Sequence, residues 1–169
     1  IFEQSNTGAF DALRNVRVPL LHSPNAILAA GPSQFYVAND SGATSGFERG
    51  LELLFRRGMS KIVYFDGQAM RIVATGLKSA AGIAMSPDGS RVYVSETSGN
   101  RIAVFARTAA SGDLLLAGHV DIGSAPDNLN VNADGTVWVA AHAKVPALIR
   151  HFGDAANLAP TQILKLVPN

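Results

Sequence analysis

Asn25, Asp127 and Asn128 are the residues whose types and placement in this chain could do chemistry. Each stands at the start of a short apolar run, and Ala81 occupies the corresponding place in a third such run. Amide and carboxylate oxygens gathered in a chain without cysteine suit a hard cation, and Ca²⁺ is the natural candidate. The same residue types also cap loops through Asx turns, so a structural role stays open. With no cysteine at all, disulfides and thiolate metal sites are excluded. The sequence holds no Gly-x-Ser-x-Gly elbow, P-loop, EF-hand pattern or His-Glu-x-x-His. Asp154 to Asn157 lacks the spacing of a calcium loop and reads as a surface turn.

The elements that must position these residues are legible as a repeat. Ala81-Gly82-Ile83-Ala84-Met85, then Ser86-Pro87-Asp88-Gly89, then Arg91-Val92-Tyr93-Val94-Ser95 is an apolar strand, a turn and a β-branched strand. Asn25–Val37 and Asp127–Val139 follow the same plan. Pro presets φ at a turn corner, and Gly accepts the positive φ that closes a hairpin. Taking Ile27, Ile83 and Leu129 as equivalent, the intervals are 56 and 46 residues. A period of about 40–50 residues with about four strands per unit is the mark of a β-propeller blade.

Three blades are expected, over about residues 25–76, 81–121 and 127–168, within one partial propeller domain spanning 1–169. In the first, Ala26–Ala30, Gln34–Ala38, Lys61–Phe65 and Ala69–Thr75 read as strands, with a helical insertion over 45–57. Phe47, Leu51, Leu54 and Phe55 share one helical face, Gly58 marks the end, and Arg56-Arg57 adds too little charge to argue for lipid. That helix would either pack on its own blade or lie over the ring's mouth as a lid. The second blade reads as Gly82–Met85, Arg91–Ser95, Arg101–Ala106 and Leu114–Val120. The third reads as Asn128–Val131, Thr136–Ala140, Leu148–Phe152 and Gln162–Val167. Ahead of them, Ile1–Gln4 reads as a strand, Gly8–Asn15 as irregular or a short helical turn, and Val16–Leu21 as an outer strand edged by Pro19. Pro168-Asn169 reads as a strand exit.

Composition narrows the function classes. Hydrophobic residues make up 47% and charged residues 16%, which argues against disorder. A net charge of +1 gives no general pull toward nucleic acid or an anionic membrane. No apolar run is long enough to span a bilayer. Three blades do not close a ring, so more chain or a second copy is expected to complete it.

Several of these stretches resemble the paraoxonase/arylesterase family: His22–Ile27 followed by Gly31-Pro32 and Phe35–Asp40, Ala81–Gly89, Asp127-Asn128, and Val137-Trp138-Val139 with His142. The match runs collinearly over roughly residues 14–167, with a helical insertion where that family has one. More loosely, the chain is similar to gluconolactonase and strictosidine-synthase-like propellers. The resemblance implies a six-bladed propeller with calcium in its central channel, hydrolysing lactones or aryl esters. It assigns Asn25, Asp127 and Asn128 as ligands of that calcium and places His142 at the pocket, touching substrate or assisting proton transfer. A solvent-facing loop histidine is the alternative for His142. His22, His119 and His151 match no functional position. The resemblance also favours a secreted or periplasmic setting.

The departures from the family pattern are specific. Ala81 stands where the family has a calcium-ligating Asn, and Ala26 replaces an Asp of its second, structural calcium. Ser41 follows Asn39-Asp40 where a pocket histidine is often found, and the family's glutamate ligand and proposed histidine base lie upstream of this sequence. The expectation is a calcium-dependent hydrolase of a small-molecule ester or lactone. The alternatives are a non-catalytic propeller that binds a small ligand or protein, and an inactive fragment that needs its missing blades.

Overall fold

The computed structural model describes residues 2–12, 15–55 and 57–167. Ile1, Arg56, Pro168 and Asn169 lie outside the described residues, as does the side chain of Leu54. Two short strands, β1 (Phe2–Gln4) and β2 (Phe10–Ala12), pair antiparallel with each other. Phe10–Ala12 is therefore a strand, where the sequence suggested irregular or helical chain.

Consecutive antiparallel hairpins build the rest. The first sheet holds β3 (Pro24–Ala29), β4 (Phe35–Asn39), β5 (Ser60–Phe65) and β6 (Met70–Leu77), in chain order. The second holds β7 (Ala80–Met85), β8 (Arg91–Glu96), β9 (Arg101–Thr108) and β10 (Asp113–Asp121), again in order. The third holds β11 (Ala125–Val131), β12 (Val137–His142) and β13 (Thr161–Leu166). The turn residues behave as their chemistry requires: Gly89 and Gly135 close their hairpins at φ +71° and +82°.

Each sheet packs its face on the next. Tyr36, Ile62 and Tyr64 of the first sheet meet Ile83, Val92, Val94 and Phe105 of the second in one buried cluster. Tyr93 and Ile102 from the second sheet's other face meet Val137 and Val139 of the third. Alternation makes this two-sided packing available to the middle sheet: along β8, Val92 and Val94 face one cluster and Tyr93 the other, whereas β12 buries Val137, Val139 and Ala141 and exposes Trp138 and Ala140. The first strands β3, β7 and β11 stand side by side, with β7 in contact with both of the others. This is the arrangement of propeller blades about an axis, so the fold is all-β and a partial propeller.

Three expectations are corrected. Leu148–Phe152 is not the third strand of its blade but part of a helix, α2 (Val145–Gly153), leaving three strands in that sheet among the described residues. Pro146 sits in the first helical turn, where its missing N–H costs no hydrogen bond, and Arg150 and His151 sit in the last turn near the negative end of the helix dipole. Val16–Leu21 forms no strand; Pro19 and Leu20 make a turn, with the Leu21 amide donating to the Val18 carbonyl at 3.0 Å. The inserted helix, α1 (Gly46–Leu54), is present but stops short of Gly58 and leaves Phe47 and Phe55 of the expected apolar set exposed. Phe47 is 76% exposed and Phe55 62%, whereas Glu52 is 2% exposed. Polar bonds to the end of β4, described below, override the apolar periodicity.

Candidate functional site

The register of each inner hairpin breaks at the same place. Opposite β4, Pro24 pairs with Asn39 and Ala26 with Ala38, which leaves Asn25 as an extra residue. Opposite β8, Ala80 pairs with Glu96 and Ile83 with Val94, so Ala81 and Gly82 share the space facing Ser95. Opposite β12, Pro126 pairs with Ala141 and Leu129 with Val139, so Asp127 and Asn128 share the space facing Ala140. Such β-bulges turn side chains out of the ordinary pleat and occur often beside active sites. All four positions singled out from sequence therefore fall on bulges at the same end of adjacent inner strands.

The bulges are locked to one another between the second and third blades. Ser95 Oγ accepts from the Gly82 amide at 2.5 Å and donates to the Asp127 carbonyl at 2.6 Å. Thr97 Oγ1 donates to the Pro126 carbonyl at 2.7 Å. A Cβ on Gly82 would lie 2.3 Å from the Asp127 carbonyl oxygen, so only glycine permits this approach. The backbone that carries Asp127 and Asn128 is thus held by a hydroxyl bridge and a close contact.

Asp127 and His142 come together across the β11–β12 hairpin, with His142 Nε2 3.5 Å from Asp127 Oδ2. His142 is not a free loop residue: its side chain is 20% exposed, and Nδ1 is buried with no hydrogen-bond partner among the described residues. Asn25, two inner strands away, belongs to a different group. Its amide donates to Asp40 Oδ2 at 3.3 Å, while Asp40 also accepts from Ser23 Oγ at 2.5 Å and pairs with Arg49 of α1 at 2.6 Å. Burial pushes the Asp40 carboxyl up, but the Arg49 guanidinium and the Ser23 hydroxyl outweigh it and hold the group below the usual carboxylate range. Ala81, 7% exposed, lies on the strand between the two groups and supplies only a methyl.

The donor set matches a hard cation in kind. Asn25 and Asn128 are exposed and Asp127 half-buried. Asn25 uses its amide nitrogen toward Asp40, which leaves its carbonyl oxygen uncommitted among the described residues. Among the described residues no three His, Cys, Asp or Glu side chains converge, so an ion here would depend on amide oxygens as well as on Asp127. Ala26 packs against the core between the first two blades.

The remaining histidines have structural partners: His22 Nε2 lies 2.5 Å from the Ala43 carbonyl, His119 Nε2 3.2 Å from Glu96, and His151 Nδ1 2.9 Å from the Asn157 carbonyl. Residues near the site that sequence reading passed over include Asp40, Arg49 and Glu52. Ser41 Oγ donates to Glu52 Oε2 at 2.5 Å, while Glu52 Oε1 is buried without a partner among the described residues. Arg49 and Glu52 stand three apart on α1, a spacing that puts both on one helical side.

A family model for arylesterases matches residues 1–169. Human serum paraoxonase/arylesterase 1 is 30% identical over 155 residues, covering 91% of this chain and 43% of that protein. Rat serum paraoxonase/arylesterase 2 is 32% identical over 131 residues, covering 77% of this chain and 37% of its own length. The chain thus spans less than half the length of these curated relatives. Among solved structures, a gluconolactonase from Xanthomonas campestris superposes with a TM-score of 0.57 at 19% identity, over 83% of this chain and 48% of that one. A calcium-binding regucalcin from Agrobacterium tumefaciens gives 0.50 at 17% identity, over 65% and 35%. At such identities the superpositions speak for the fold alone.

Proposed function

Because the chain belongs to the arylesterase family, we propose that it forms part of a calcium-dependent hydrolase of lactones or aryl esters. The observation that carries this reading is the alignment of bulges in β3, β7 and β11, which puts Asn25 and the Asp127-Asn128 pair at one end of adjacent strands, with His142 against Asp127. Asn25, Asp127 and Asn128 would hold the ion. Bound there, calcium supplies polarisation of the ester carbonyl and stabilisation of the charge that develops on its oxygen.

His142 is the proton-handling group of this reading. Its Nε2 faces the Asp127 carboxylate, whereas Nδ1 is buried out of reach of a substrate. Nε2 takes a proton from the attacking water and returns it to the departing alcohol or phenol, and the Asp127 carboxylate stabilises the cation in between. Asp127 orients the ring as well as contributing an oxygen, so its loss should disturb both functions.

A second reading, a non-catalytic propeller that binds a small ligand, draws on Ala81, which places a methyl where an oxygen would complete the ring of ligands. Turnover separates the two. Hydrolysis of phenyl acetate and γ-butyrolactone should disappear on chelation and return with Ca²⁺, and His142→Gln should lower the restored rate by about 10²-fold or more. Binding of ligand with no calcium-restored turnover would favour the second reading.

A further inference from the structure

Beyond the bulge of β11, the chain borders a half-open pocket of about 350 Å³. Its wall runs from His142 through Lys144 and Pro146 to Arg150, where β12 gives way to α2, and is completed by Asn100 and Ser124. Lys144 and Arg150 are both exposed, and neither has a salt-bridge partner among the described residues. No described Asp or Glu lines the pocket. The carboxylate that touches its wall is Asp127, which faces His142. The cavity between the first and second blades differs: Arg101 borders it too, but Glu96 neutralises that guanidinium at 2.6 Å.

We propose that this pocket receives the anionic end of the substrate, so that the preferred lactones or esters carry a carboxylate. Arg150 offers a planar fork matched to a carboxylate, and Lys144 adds a point charge on the same wall. The uncharged linker of such a substrate lies along the apolar first turn of α2, and its acyl group turns toward His142. The inference rests on the hydrolase reading for the acyl end, while the anion preference is a property of Lys144 and Arg150 alone. Both cations are exposed, so their attraction is modest and falls as salt screens it.

Calorimetry tests this without turnover. The purified protein, with chelator present, is titrated with γ-butyrolactone-γ-carboxylate and, separately, with the methyl ester of that acid. The acid should bind about tenfold more tightly than the ester. This preference should fall to about twofold or less in the Lys144→Gln/Arg150→Gln double variant, and likewise near 0.5 M salt. Equal affinities, a preference that survives in the double variant, or no binding of the acid would each overturn the anion pocket. Failure of the hydrolase reading shows up separately, as no turnover of phenyl acetate by the same preparation with Ca²⁺ restored.

Discussion

Replacing Gly82 by alanine inserts one methyl at the tightest point of the candidate site. Its carbon would stand 2.3 Å from the Asp127 carbonyl oxygen, 3.0 Å from Ser95 Oγ and 3.1 Å from Asn128 Cα. Two of these three neighbours are backbone atoms and cannot swing aside, so β7 and β11 must separate. Overpacking of this kind costs about 1–3 kcal/mol. Moving Asp127 also stretches the 2.6 Å bond from Ser95 Oγ, worth about 1 kcal/mol. The sum, about 2–4 kcal/mol, corresponds to a fall in Tm of roughly 4–16 °C for a chain of this size. Because the displaced residues are Asp127 and Asn128, calcium affinity should drop in the same variant. Gly118→Ala is the control, since a Cβ there meets nothing within 4 Å. Thermal melts of the parent and both variants make the comparison. A Gly82→Ala protein that melts within about 1 °C of the parent would refute the close approach of β7 to β11.

Glu96 is fully buried, accepts from the Lys78 amide and from Arg101, and lies 3.2 Å from His119 Nε2. Glu96→Ala removes the shared anion and should cost about 3 kcal/mol, toward the lower end for a buried pair because both basic side chains still reach water; a denaturant midpoint measures it. The Asp88 carboxyl is lowered to about 2, chiefly by the Ser86 and Ser90 hydroxyls. Its folded pKa is depressed, so its stabilising effect is complete above the unfolded value near 4 and is lost as pH falls toward about 2. Asp88→Asn should remove that part of the acid dependence, and the carboxyl resonance followed by NMR should reach its half-point near 2 in the parent. Ala81→Asn restores an amide oxygen between the Asn25 and Asp127 groups and should raise calcium affinity several-fold, read by calorimetry.

The blade hairpins were legible because apolar alternation and the Pro/Asp/Gly turns act locally. Ile27, Ile83 and Leu129 marked equivalent places, and the bulged residues precede each of them. The bulges themselves could not be read from the chain, since a bulge exists only relative to the register of a partner strand. The approach of His142 to Asp127 likewise depends on pairing between β11 and β12. Leu148–Phe152 was misassigned because five residues mixing Leu148, Ile149 and Phe152 with Arg150 and His151 do not distinguish strand from helix by themselves; Pro146 just ahead of them was the available signal. On α1 the periodicity of Phe47, Leu51, Leu54 and Phe55 pointed to an apolar contact. What docks the helix instead is polar, Arg49 to Asp40 and Glu52 to Ser41. Those partners sit ahead of the helix, in the loop that follows β4, out of reach of a helical pattern.

In the proposed function, bulges on neighbouring inner strands bring amide and carboxylate oxygens to one calcium ion. Calorimetric titration of Ca²⁺ into the chelator-stripped protein, its Asp127→Ala variant and its Ala81→Asn variant tests this most directly. One ion per chain is expected in the parent, with tighter binding in Ala81→Asn and loss of binding in Asp127→Ala. Binding that Asp127→Ala leaves unchanged, or no binding even in Ala81→Asn, would contradict it.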